Sequence, residues 1–349
     1  MLWGQSTCAL LAQTAGAGAA VSSQTRQDAQ LRQQLQETDP LGGGKNLEEE
    51  SVTARPLSPD MGDVQIMTQK EDKPWFFLTV DTQAFYNSNV LYASSVGNTF
   101  GAWQIITTPE VGFAPRIQDE QYSMFFPRAG FRYQFYTYAQ AEPPVGSYAS
   151  SGISAQNFQV ANPYGSLGWA FSDELYLEFS AQANIYNGSG RNWSSYNNFL
   201  SEYPLAWQAT WFKSFAEIQS VSVTARASYV LANPSNFERT DNSMTFAWVT
   251  NPIREINTQI YASFRLAKYT GLNPTSEDNP GSTLGYFNNA DRLDFQMTYG
   301  ASVTWTPLEY LSLRAFVSWT KSDSSVSVAE TGDFEALNAG TGLNLIYRF

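Results

Sequence analysis

The chain contains no histidine and a single cysteine, Cys8. Without imidazole there is no His-based zinc site, no serine–histidine triad and no Asp–His dyad. A lone cysteine forms no intrachain disulfide. Basic residues are scarce: 20 Lys+Arg stand against 32 Asp+Glu, for a formal charge of −12. A nucleic-acid partner needs a basic surface, so none is expected. No apolar run reaches the roughly 18 residues of a transmembrane helix. P-loop, dinucleotide-binding and EF-hand patterns are missing too, so no cofactor, metal ligand or catalytic residue is assigned. Lys213, Lys268 and Lys321 are the only lysines after Lys73, and none has a motif partner. An enzyme is not expected.

What the chain does have is aromatic weight and alternation. Aromatics make up 15% of the residues, ten of them tryptophan, and these need an interface or a core. The mean hydropathy of −0.31 looks soluble, yet a strand with one apolar and one polar face averages to such a value. From Trp75 onward that pattern holds. Leu175, Leu177, Phe179, Ala181, Ala183 and Ile185 alternate with Tyr176, Glu178, Ser180, Gln182, Asn184 and Tyr186. Leu293 to Trp305 alternates with Asp294 to Thr304, and Leu311 to Trp319 resumes the apolar face after a tight turn at Thr306 to Glu309. About twelve such segments are expected, spanning 75–86, 101–115, 122–140, 158–171, 174–187, 203–213, 217–231, 243–250, 255–269, 292–306, 309–321 and 334–349. Pro109 interrupts the second, and the eighth is short.

The last segment alternates to the final residue. Leu337, Ala339, Thr341, Leu343, Leu345, Tyr347 and Phe349 point one way; Asn338, Gly340, Gly342, Asn344, Ile346 and Arg348 point the other. A terminal aromatic on such a strand resembles the closing strand of Gram-negative outer-membrane β-barrels. The resemblance implies an all-β fold, a transmembrane antiparallel up-and-down barrel. It also implies outer-membrane lipid as surroundings, and Tyr347 and Phe349 as a signal to the barrel-assembly machinery. Twelve strands after an N-terminal segment also resemble autotransporter translocator domains.

Three regions follow. Residues 1–20 include Cys8 to Ala20, which resembles the second half of a secretory signal. Residues 21–73 are polar, Gln/Glu-rich and broken by Pro40, Gly42 to Gly44, Pro56 and Pro59, and read as a largely disordered arm. Residues 74–349 form the barrel. Connections after even-numbered strands read as short and those after odd-numbered strands as long. Outer-membrane barrels have short periplasmic turns and long external loops, so both termini and the arm are expected in the periplasm. Trp75, Trp169, Trp211, Trp305 and Phe349 fall at the short-turn ends, with Trp207, Tyr229, Tyr269 and Trp319 nearer the other end, as two interfacial belts would have it.

The polar face should line the lumen. Its expected charges are Asp81, Arg128, Arg132, Glu178, Arg226, Arg265, Asp294, Arg314 and Arg348. Counting at roughly 3 Å per residue puts Asp81, Glu178, Arg128 and Arg314 in a lower band of mixed sign. Arg132, Arg226 and Arg265 fall in an upper band, with Asp294 the nearest acid. These charges read either as ion pairs filling a narrow barrel or as a basic constriction favouring anionic or zwitterionic solutes. Tyr136, Tyr176, Tyr186 and Tyr261 read either as filler or as stacking faces. Two functions remain open: a small-solute diffusion channel, anion-leaning through its arginines, and a closed adaptor barrel. In the second, the arm plugs the lumen or docks a periplasmic protein.

Overall fold

A computed structural model describes residues 75–90, 100–115, 125–139, 157–172, 174–188, 197–216, 218–233, 235–253, 255–270, 291–308, 310–325 and 333–349. The leader and arm expected at 1–73 lie outside the described residues.

The chain forms a closed antiparallel barrel of 12 strands. They are β1 (Phe76–Asn87), β2 (Ala102–Phe113), β3 (Phe125–Ala139), β4 (Phe158–Ala170), β5 (Leu175–Gln182, resuming as Asn184–Gly188), β6 (Asn197–Ala216), β7 (Gln219–Asn233), β8 (Arg239–Ile253), β9 (Ile256–Tyr269), β10 (Leu293–Leu308), β11 (Leu311–Ser324) and β12 (Phe334–Arg348). Each strand pairs with its neighbours in sequence, and β1 pairs with β12 from Phe77↔Arg348 to Asn87↔Asn338. At the seam, Phe76 N donates to the Phe349 carbonyl at 3.1 Å and Phe349 N donates to that of Phe76 at 3.0 Å. Their rings stack at 6.0 Å. The terminal residue is therefore part of the closure.

Alternation sorts the faces as expected. Leu78, Trp103, Leu167, Trp207, Phe246 and Leu343 are among the exposed apolar residues of the outer wall, and the polar partners turn inward. One belt residue differs: Tyr269 faces the lumen, its ring beneath the guanidinium groups of Arg239 and Arg292.

The prolines show how the ladders tolerate missing donors. Pro109 leaves β2 continuous, because its register with Val80 of β1 is intact. The loss falls on the other edge, where β2–β3 pairing stops at Thr107 and resumes at Glu110 without a change of register. In β4, Pro163 accepts a bond from Ala183 N at 3.0 Å but has no N–H to return. Asn162 Nδ2 donates to the Ala183 carbonyl instead, at 2.9 Å, and to Asn184 Oδ1 at 2.7 Å. The β5 ladder is interrupted at Ala183 for this reason.

Two connections depart from the expected lengths. The β7–β8 connection is confined to 234–238, around a 3-10 turn at Ser235–Phe237, so β8 begins at Arg239 rather than 243. Strand β6 likewise begins at Asn197 rather than 203.

Glycines mark close approaches at the seam. A Cβ on Gly340 would lie 2.3 Å from both the Ala84 carbonyl oxygen and Phe85 Cβ. Backbone cannot move aside there without opening the closure. Gly340→Ala is expected to lower the folded, heat-modifiable fraction on electrophoresis after refolding in detergent. Gly165→Ala, whose Cβ would meet only the Arg128 carbonyl oxygen at 3.8 Å, is expected to leave it unchanged.

Candidate functional site: the barrel lumen

The inward side chains divide the lumen into two unlike walls. On β1–β6 at the long-loop end, Phe85, Ile106, Tyr136, Phe158, Val160 and Tyr186 form an apolar core inside the barrel. Val90 and Phe100, from the ends of the β1–β2 connection, fold into it. Tyr136 and Phe158 stack at 4.3 Å. Along β6–β9 many inward positions carry polar groups instead. Gln208, Thr210, Thr224, Ser243, Thr245, Gln259 and Ser263 all point inward yet stay partly accessible to solvent. Water reaches an inward side chain only through the lumen, so this wall borders open space.

Charges gather in networks along the lumen face. In the first, Glu110 of β2 takes Arg128 Nη2 at 2.6 Å and Arg132 Nε at 3.3 Å, and the Tyr164 hydroxyl donates to the same carboxylate. Both guanidinium groups also lie over the Tyr164 ring. The second runs from β6 to β9. Arg239 Nη1 donates to Glu202 at 2.6 Å and Arg239 Nε to Asp241 at 3.0 Å, while Arg265 Nη2 donates to the other oxygen of Asp241 at 2.7 Å. The Tyr186 hydroxyl closes it on Glu202 at 3.1 Å. Around the seam, Asp81 accepts from Gln83 at 2.8 Å and Asn344 at 3.5 Å. Arg314 Nη2 reaches across the bare backbone of Gly342, on the side where Gln83 lies.

The expected bands are thus redrawn by pairing. Arg128 and Arg132, assigned to different bands, meet at one carboxylate. Arg265 is held by Asp241; Asp294, expected to be the acid nearest it, is held by Arg292 at 2.8 Å. Glu178 is buried and accepts from the Tyr176 hydroxyl at 3.2 Å. Arg226 lies on one register row with Glu178, Gln208, Ser243 and Arg265. Arg348 faces inward at the short-turn end, in register with Phe77.

Glu110, Glu202, Arg239, Asp241 and Arg292 were missing from the sequence-derived set. Glu110 follows a proline that obscured its strand. Glu202, Arg239 and Asp241 sit where the outer face also turns polar, as at Thr240 and Asn242, so apolar alternation ends before the strand does. The i, i+2 spacing of Arg239, Asp241 and Ser243 was the available signal. Among the described residues, no three of His, Cys, Asp and Glu converge as a metal site would require.

Inward aromatics lie against inward glycines on neighbouring strands: Phe77 over Gly112, Tyr164 over Gly130, Tyr176 over Gly168 and Tyr261 over Gly300. The rings rest on backbone rather than projecting across the lumen. A separate depression of about 850 Å³ lies on the outer wall, where Phe179, Trp207, Ala209, Ala225 and Met244 face away from the lumen.

The chain matches no protein-family model and no curated protein. Solved structures do match. An outer membrane channel from Pseudomonas putida F1 is similar at a TM-score of 0.53 with 8% identity, over 82% of this chain and 100% of that one. The beta domain of the Bordetella autotransporter BrkA gives 0.42 with 11% identity, over 80% and 100%. The NanC porin gives 0.39 with 5% identity, over 76% and 98%. At these identities the likeness is one of fold alone, a closed antiparallel β-barrel.

Arg239 is 5% exposed and sits between two acids, Glu202 at 4% and Asp241 at 12%. Arg239→Met leaves Glu202 without that partner in the barrel interior. The expected cost is about 3–5 kcal/mol, read as a lowered thermal midpoint of the folded barrel. Adding Glu202→Met should restore part of it.

Proposed function

We propose that the protein is a diffusion channel of the bacterial outer membrane for small polar solutes, with weak charge selectivity. The observation that carries this reading is the partly solvent-accessible inner wall of β6–β9. A barrel that serves only as a scaffold gains from filling its interior with bulky side chains. Here one wall does that, and the other presents serine, threonine and glutamine to water. The apolar outer surface suits lipid, and the two unlike ends suit the usual asymmetry of short periplasmic turns and long external loops. On that basis both termini belong in the periplasm, and Phe349 belongs to the element read by the assembly machinery.

Selectivity should be modest. Arginines at a constriction favour anions when they stand without counter-charges. Arg132 and Arg265 have them, in Glu110 and Asp241, so their fields are largely local. The lean toward anions rests on Glu110 being shared by two arginines.

The closed adaptor barrel is the second reading, favoured by the apolar core packed into the long-loop end. Planar-bilayer recording on the purified full-length protein separates the two. Stepwise ohmic conductance is expected; its absence would favour the adaptor. Asp241→Asn should move the reversal potential in a salt gradient toward anion preference. Ser243→Trp, a bulky ring on the open wall, should cut single-channel conductance several-fold.

A further inference from the structure

Tyr261 differs from four other lumen tyrosines, Tyr136, Tyr164, Tyr176 and Tyr186. The hydroxyls of Tyr136, Tyr164, Tyr176 and Tyr186 each bond an inner-wall side chain, namely Gln134, Glu110, Glu178 and Glu202. Among the described residues, Tyr261 has no such partner. Its ring fills the space that a Gly300 side chain would take: a Cβ there would lie 2.5 Å from both Cζ and the hydroxyl oxygen. One side of the ring rests on the β10 backbone. The residue is half-buried, so the other side is left to the lumen.

The surroundings are uncharged and polar apart from Ala247 and Val249 of β8, which stand in register with Tyr261 and Gln259. No inward side chain is charged from Ser243 to Asn251 on β8, from Asn257 to Ser263 on β9, or from Gln296 to Thr304 on β10. The nearest inward charge along β9 is Arg265, already held by Asp241. One residue pair from the ring toward the long-loop end, Thr245 and Ser263 share a hydroxyl–hydroxyl bond of 2.9 Å in which either can donate. Such a pair uses one hydrogen internally and keeps a donor and acceptors for a visitor. Gln259 stands on the other side of the ring on the same face and is accessible from the lumen.

We infer that Tyr261, with Thr245, Ser263 and Gln259, forms a binding subsite for a neutral polyhydroxylated solute, a sugar ring stacked on the tyrosine face. The chemistry selects this class. A sugar offers C–H groups to the ring face and hydroxyls to the rim, where hydroxyls and an amide can give or take a proton in a hydrogen bond. An ion entering the same patch loses hydration and meets no opposite charge. A purely apolar solute leaves Thr245, Ser263 and Gln259 unmatched. The inference rests on the channel reading for its route of entry, though not for the binding itself.

The test is bilayer recording with raffinose as the neutral probe and glucuronate as the anionic one. Raffinose should reduce ionic current in a saturable way, and glucuronate should do so more weakly. Tyr261→Ala should still form conducting channels, and raffinose block of them should weaken about tenfold. Tyr261→Phe, which keeps the ring, should stay close to wild type. Conductance without raffinose block, block unchanged in Tyr261→Ala, or stronger block by glucuronate would each overturn the subsite and leave the channel standing. If no conductance appears, the channel reading fails, and titration calorimetry of the detergent-solubilised barrel decides the subsite. Raffinose binding lost in Tyr261→Ala supports it there, and binding absent from the wild type, or unchanged in Tyr261→Ala, overturns it.

Discussion

Closure of the backbone hydrogen-bond ladder is the constraint on which the rest depends. In hydrocarbon an unpaired amide or carbonyl has no water to turn to, so an open sheet edge is not tolerated. The seam between β1 and β12 meets that demand, down to the reciprocal bonds of Phe76 and Phe349. The same demand accounts for the details around the prolines. Pro163 deprives Ala183 of a donor, and Asn162 supplies one from its side chain. That substitution holds an interrupted strand in place. Gly340 serves closure differently, by letting two backbones approach where a Cβ would collide with one of them.

Once the ladder is closed, volume and charge compete for the interior. Glycines opposite the rings of Phe77, Tyr164, Tyr176 and Tyr261 let large side chains lie along the wall. The ring gains contact with backbone, and the lumen loses less width than residue size alone would suggest. Charge is handled by sharing. Glu110 serves two arginines, and Asp241 stands between Arg239 and Arg265. Buried carboxylates are costly without such partners, so each network resists the removal of any one member.

Much of the fold was legible because period-two alternation is local. The strand count, the facing of residues such as Glu178 and Arg226, and the part of Phe349 in the last strand follow from counting along one chain. The site was less legible because it is not local. Which arginine meets which acid depends on register between strands and on tilt, which moves neighbours in a row to different heights. Height counting kept Arg128 and Arg132 apart, yet these two, four residues apart on β3, reach one carboxylate on β2. Arg239 and Asp241 escaped for another reason. Near the strand ends both faces are polar, and alternation of apolar residues then marks the end of the lipid-like surface rather than the end of the strand. Tyr269 was misplaced by the same effect, since an aromatic near a strand end suits either face.

The division of the lumen gives these pieces one logic. A 12-stranded barrel falls between the size that side chains fill and the size that leaves a wide channel. Filling it evenly would close it, and emptying it evenly would leave the wall without internal support. This chain packs Phe85, Tyr136, Phe158 and Tyr186 against one side of the long-loop end and leaves the opposite wall to small hydroxyls. The packed side can carry shape while the open side carries chemistry. Changes in the aromatic core then act mainly through stability. Changes at Ser243, Thr245 and Gln259 act mainly through what the lumen admits, because these side chains stay partly accessible to solvent. That separation places the interpretable part of the lumen in its least conspicuous residues, short polar side chains that no motif would mark.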